Sequence, residues 1–271
     1  MQNVKDVAEK LGKYGCYSIA GVYFMVGLMA LLSFLGESKE AADEERIVDV
    51  ILEIPLGELL IVFMILGLMG YVCWRIYEAF ADPYEFGSSL KAKAQRTGIG
   101  LSALGYVLIA AGATEILFEG GGDSEGDQQL FVSQVLDWPG GQWLVGITGI
   151  ILGFTAFVQI KYIYDGDYNK RMQYDEMPPW IQKATHITGW PGYIARSVIL
   201  AVLGFFFVKA GIQSDSEEVG DTDSAFDFLG SFGVIGQVIF IAVALGTMCY
   251  GVFMLISGYY YSFERTEGEE N

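Results

Sequence analysis

The stretch Ile51–Leu60, ILEIPLGELL, returns 84 residues later as Val135–Leu144, VLDWPGGQWL. Both read apolar, apolar, acid, apolar, Pro, any residue, Gly. A weaker third version, DSAFDFLGSFG, occupies residues 223–233 and lacks the proline. Proline cannot continue a helix that precedes it but suits a first helical turn. Pro55 with Gly57 and Pro139 with Gly141 are therefore expected to end a short amphipathic helix and begin a long one. At 223–233, where Ser231 and its neighbours replace the proline, the turn is expected to be looser. Repetition of this kind is the signature of a structure built from copies of one unit.

The composition says what that unit is. Hydrophobic residues make up 52% of the 271, charged residues only 18%, and mean hydropathy is +0.38. Soluble domains carry about 25% charged residues. A spanning helix needs roughly 20 apolar residues, because lipid offers backbone amides no partner. Six segments qualify: 14–35, 56–80, 97–118, 141–164, 190–212 and 232–261. The first is too long for a signal-peptide core and reads as an uncleaved anchor.

The six segments fall into three hairpins, spanning 8–86, 91–174 and 183–263. In hairpins one and three the first helices align without gaps: Gly12, Gly15 and Gly27 fall on Gly189, Gly192 and Gly204. The second helices share Gly67, Gly153 and Gly246, each followed four residues later by an aromatic, Tyr71, Phe157 and Tyr250. Two-helix units all enter from the same side, so the copies are parallel repeats. The expected architecture is an all-α membrane protein forming a single membrane domain, 1–271. Its six transmembrane helices form three hairpins in a pseudo-threefold arrangement, with short interfacial amphipathic helices. Glycines let helix backbones approach closely where lipid removes the usual hydrophobic drive.

Orientation follows the placement of Lys and Arg. All but Lys39, Arg46 and Lys209 lie at the termini, in the even-numbered loops or on the parts of the helices next to those loops. Both termini are therefore expected on the cytoplasmic side. The odd loops are acidic, with Glu37, Glu40, Asp43, Glu44, Glu45, Asp49 and Glu53 in the first alone, and account for most of the net charge of −17. Such a surface gathers cations within about a Debye length of roughly 10 Å. Asp221-Thr222-Asp223 lacks the glycine and distal glutamate of an EF-hand loop.

The hairpin with its P-x-G approach, followed by GLMGYVCWRIYEAFADP at 67–83 and again by ALGTMCYGVFMLISGYY at 244–260, resembles the DUF1206 family of bacterial membrane proteins. The resemblance covers about 250 residues. It implies three two-helix repeats in a bacterial cytoplasmic (inner) membrane, and brings no established activity and no catalytic residue to map. The missing third proline and the acidic odd loops depart from the family pattern.

Candidate sites are few. Glu115 and Lys209 occupy nearly equivalent repeat positions with opposite charge and are expected to form an intramembrane ion pair. Arg75, Lys161 and Arg196 are expected to anchor at lipid headgroups, with Glu78 one turn from Arg75. His186 is the single histidine, and Cys16, Cys73 and Cys249 show no ligand spacing, so neither a metal nor a cofactor is expected. Gly98-Ile99-Gly100-Leu101-Ser102-Ala103 follows no strand and is no dinucleotide fingerprint. The expected partners are the lipid bilayer and other membrane subunits or a second copy, with no nucleic acid. The expected role is a non-catalytic scaffold or accessory subunit. The alternative is a small-ion or small-molecule transport or channel protein, with a pathway along the pseudo-threefold axis.

Overall fold

A computed structural model describes residues 2–35, 57–82, 87–89, 92–93, 96–100, 103, 106–107, 110, 114, 124–166, 168 and 172–260. Pro55, Glu115 and most of the acidic residues of the first and third loops lie outside the described residues. The helices are α1 (Gln2–Phe34), α2 (Gly57–Ala81), α3 (Ser124–Leu136), α4 (Gly141–Tyr164), α5 (Pro179–Gln213), α6 (Thr222–Gly230) and α7 (Gly233–Tyr260). Among the described residues, five helices are long and apolar enough to cross a membrane: Lys10–Phe34, Gly57–Ala81, Gly141–Tyr164, Pro179–Gln213 and Gly233–Tyr260. The 97–118 segment is described only in part. Its described positions, 97–100, 103, 106, 107, 110 and 114, are all helical.

Side-by-side packing runs α4, α5, α7, α1, α2. The 96–114 segment then meets α2: Arg96 donates to the carbonyls of Ala79 and Phe80, both at 2.7 Å. Ala103, Tyr106 and Ala110 are buried in one apolar cluster with Tyr71 and Val72 of α2. Hydroxyls along the long helices fold back onto their own backbones. Thr114, Thr148, Thr155, Thr188, Ser197 and Thr247 each donate to the carbonyl four residues earlier at 2.6–2.9 Å. A polar group that is satisfied within its own helix costs little in lipid.

The repeat-matched glycines sit at matched crossings. A Cβ on Gly15 would lie 2.3 Å from Tyr71 Cβ, and one on Gly192 would lie 2.7 Å from Tyr250 Cα. Both crossings lie inside a hairpin, between its first and second helix. Gly27 and Gly204 serve contacts between hairpins instead: a Cβ on Gly27 would lie 2.5 Å from the Ala244 carbonyl oxygen of α7, and one on Gly204 would lie 2.8 Å from the Gly149 carbonyl oxygen of α4. No side chain fits at these four positions without moving backbone.

One end of the bundle is capped. Amphipathic α6 turns Ala225, Phe226 and Leu229 into the core formed by α1, α5 and α7. Asp221 caps its N-terminus, accepting from the Ser224 amide at 2.9 Å. Helix α3 buries Val132 against Val145, Ala210 and Val219. The opposite, basal end carries the last turns of α2, α4 and α7 and the first turns of α5.

Three local expectations change. Pro139 does not open the long helix: α3 stops at Leu136, a turn follows, and Gly140 at φ +83° leads into α4 at Gly141. Gly141 is needed there because a Cβ would lie 1.8 Å from the Val135 carbonyl. Gly57, its counterpart, is buried at the start of α2. The third turn is tight rather than loose. Ser231 bonds back to the Asp227 carbonyl at 3.0 Å, and Gly233 takes φ +65°, so glycine turns the chain where proline is missing. Finally, α5 is one helix of 35 residues that runs through Pro191 and begins at Pro179, well before the apolar segment 190–212.

Candidate functional site

The most chemically loaded part of the molecule is a layer of tyrosines and two arginines, about three turns in from the basal end. Tyr71 and Tyr250 each stand about ten residues before the end of their helix, and so about 15 Å inside it. Tyr106 stands at a similar distance from the start of its segment.

Arg196 of α5 is the hub. Its Nη1 donates to the Tyr250 hydroxyl, and Nη2 donates to the Tyr106 hydroxyl at 3.1 Å. Its guanidinium carbon lies 5.0, 5.4 and 5.9 Å from the ring centres of Tyr250, Tyr23 and Tyr106. A guanidinium within about 6 Å of a ring is attracted by the ring's quadrupole, more strongly when desolvated. One side chain thus touches all three repeat units, through Tyr23, Tyr106 and Tyr250. The rings also hold each other. Tyr23–Tyr250 and Tyr71–Tyr106 are both edge-to-face, each with centroids 4.9 Å apart and planes at 77°. Tyr193 meets Tyr250 at 5.3 Å and Phe253 at 5.4 Å.

Arg75 of α2 lies on the same side of the bundle. Its Nη1 bonds the Glu78 carboxylate at 2.8 Å and its Nη2 donates to the Tyr71 hydroxyl. Glu78 is fully buried, while the Arg75 side chain keeps 21% of its surface exposed. Glu78 is thus the carboxylate of this layer, held within one helical turn of its cation.

The other sites read from the sequence are dispersed. Arg196, expected at the headgroups, has its guanidinium on the Tyr250 and Tyr106 hydroxyls, and Arg75 is engaged by Glu78 and Tyr71. Lys161 is exposed in the last turn of α4, 3.7 Å from Asp165. Lys209 pairs with Glu218 at the capped end, while its expected partner Glu115 lies outside the described residues. His186 Nδ1 is 3.1 Å from the Tyr168 hydroxyl. At the basal end a cleft of about 660 Å³ is lined by Lys13, Tyr17, Gln173, Glu176, Tyr259 and Tyr260. Among the described residues no three His, Cys, Asp or Glu side chains gather as metal ligands would.

Sequence reasoning missed the tyrosine layer, although two signals bear on it. Tyr71 and Tyr250 are the aromatics four residues after matched glycines, and Tyr23 and Tyr106 are both in first helices of a repeat.

Long apolar helices that cross at matched glycines, with their polar groups folded inward, define an α-helical protein of membrane type built from repeated hairpins. The family profile described as Domain of Unknown Function (DUF1206) matches three times, at residues 14–82, 97–162 and 191–261, and the chain belongs to this family. It is 30% identical over 261 residues to the uncharacterized protein YxxB of Bacillus subtilis (strain 168), covering 96% of this chain and 93% of that one. No solved structure matches the chain.

Proposed function

We propose that the chain crosses a bacterial cytoplasmic membrane six times, with both termini inside, and serves as a non-catalytic scaffold or accessory subunit. Its three hairpins are related by rotation about the membrane normal. Two matched sets of contacts support the rotation. Gly15 and Gly192 make equivalent crossings within hairpins one and three. The two edge-to-face tyrosine pairs join the second helix of one hairpin to the first helix of the next, one to two and three to one. The 96–114 segment supplies the sixth span, the basal end is cytoplasmic, and the acidic loops face out. Labelling of single cysteines placed at residues 124 and 172 checks the topology; modification of both from the same side of the membrane overturns it.

The observation that carries the scaffold reading is the way the hairpins are fastened to one another. Where they meet, Arg196 packs against the rings of Tyr23, Tyr106 and Tyr250, and Tyr193 packs against Tyr250. The surface open to a partner is the outside. Helix α4 presents Trp143, Ile150, Phe154 and Phe157, each 62–69% exposed, to lipid or to another subunit. Affinity purification of the full chain from its native membrane in mild detergent, read by mass spectrometry, tests this. A stoichiometric membrane partner or a second copy is expected, and recovery of the chain alone as a monomer overturns the reading.

A second reading is a transport pathway along the common axis, favoured by the hydroxyls and guanidinium that all three hairpins contribute to one layer. A fixed guanidinium on such a path repels cations, so the cargo would be anionic or neutral. Flux of sodium, potassium and chloride into proteoliposomes separates the two readings, since the scaffold passes none of them.

A further inference from the structure

We infer that the Arg196–tyrosine layer is a binding site for one small oxyanion, a single carboxylate or phosphate group. Two independent counts lead there.

The first count is charge. Within the six apolar segments the acids are Glu58, Glu78 and Glu115. Glu58 is in the first turn of α2, at the capped end of the bundle. Glu115 lies outside the described residues. Among the described acids that leaves Glu78, and Glu78 is held by Arg75. Among the described residues, Arg196 therefore carries its charge into the bundle with neutral phenols, and no carboxylate, against it. A guanidinium inside a bilayer-spanning bundle is costly without an opposite charge, and such groups mark functional sites.

The second count is hydrogen bonds. The hydroxyls of Tyr71, Tyr106 and Tyr250 each accept from a guanidinium. A phenol that accepts in this way has its own proton left to donate. Among the described residues none of these three protons meets an acceptor, and the buried Nε of Arg196 has none either. Four donors thus converge on a layer in which the one nearby carboxylate is already engaged. Donors in surplus around an uncompensated cation are what an oxyanion requires: several N–H and O–H groups for its lone pairs, and a positive charge for its own. Access is from the basal end beside Arg75, whose side chain keeps 21% of its surface exposed.

A free anion and a lipid headgroup phosphate share this chemistry, and the experiment separates them. The full-length protein is purified in detergent, and its thermal midpoint is followed while inorganic phosphate or acetate is titrated. Sodium chloride holds the ionic strength constant. A saturable rise of a few degrees is expected, with the half-saturating concentration raised about tenfold or more in Tyr106→Phe, which loses one donor to the anion. Arg196→Gln should abolish the rise; if that variant does not fold, Tyr106→Phe decides. In the second arm native mass spectrometry follows delipidation. A retained phospholipid, whose removal lowers the midpoint in the wild type but not in Tyr106→Phe, assigns the site to a headgroup phosphate. Midpoints that follow ionic strength alone, identical in wild type and Tyr106→Phe, with no retained phospholipid, overturn the inference and leave water as the acceptor. The outcome is separate from the scaffold reading, which stands or falls on the partner.

Discussion

Two arginines enter the same bundle under different terms. Arg75 has a carboxylate one helical turn away at 2.8 Å and a strip of exposed surface. Arg196 has hydroxyls and ring faces drawn from three repeat units and, among the described residues, no acid. Arg75 is held locally, by neighbours on its own helix. Arg196 is held only when the whole bundle is assembled. The difference separates a charge neutralised within one helix from a charge used to fasten helices together.

The comparison breaks most visibly at Glu78. Glu78→Gln leaves a guanidinium inside the bundle without its carboxylate. Removing one partner of a buried pair costs about 3–5 kcal/mol, and the partial exposure of Arg75 places this case at the low end. The expected result is a sharp fall in folded protein and in the midpoint of detergent-denaturant unfolding. Arg75→Met combined with Glu78→Gln should recover much of that loss.

The next largest effect is expected from Arg196→Lys. An ammonium keeps the charge but lacks the planar fork that reaches Tyr106 and Tyr250 together. A loss of about 2 kcal/mol is expected, scored on the same unfolding curve. Arg75→Lys should cost less, because a lysine can still meet Glu78. If the two lysine variants behave alike, the distinction between the two sites is lost.

Smaller again is Tyr23→Leu, which removes a ring from beneath Arg196. The cost expected is about 1 kcal/mol, beyond what loss of apolar surface explains in a parallel Phe24→Leu control. Lys161→Gln comes last. Its pair with Asp165 is largely exposed, so a change under about 0.5 kcal/mol is expected, and the protein should purify and unfold as the wild type does.

Much of the fold is legible in the sequence, for reasons tied to particular residues. Helix–helix crossings in lipid need small residues, so Gly15, Gly27, Gly192 and Gly204 recur at one spacing because the same crossings recur. Hydropathy finds the spans because amides leave no other arrangement. The layer around Arg196 is not legible in the same way. Its parts come from residues 23, 71, 106, 193, 196 and 250, and no local pattern links them. Charge near the end of a hydropathy window also reads as a headgroup anchor. Arg196 lies six residues into the apolar segment, but α5 begins at Pro179, so the arginine is deep inside the helix rather than at its edge. Which way a long cation turns, to lipid or to the bundle, depends on neighbours that only tertiary structure supplies.

The way Arg196 is held has a consequence for biosynthesis. As the chain leaves the ribosome, the arginine is inserted some fifty residues before Tyr250 is made, so for that interval it lacks the phenol of the last helix. A polypeptide stopped or mutated in α7 would present an ill-sheltered cation within the lipid, a mark that membrane proteases can read. Completion of the final hairpin thus doubles as a check that the earlier ones are in place.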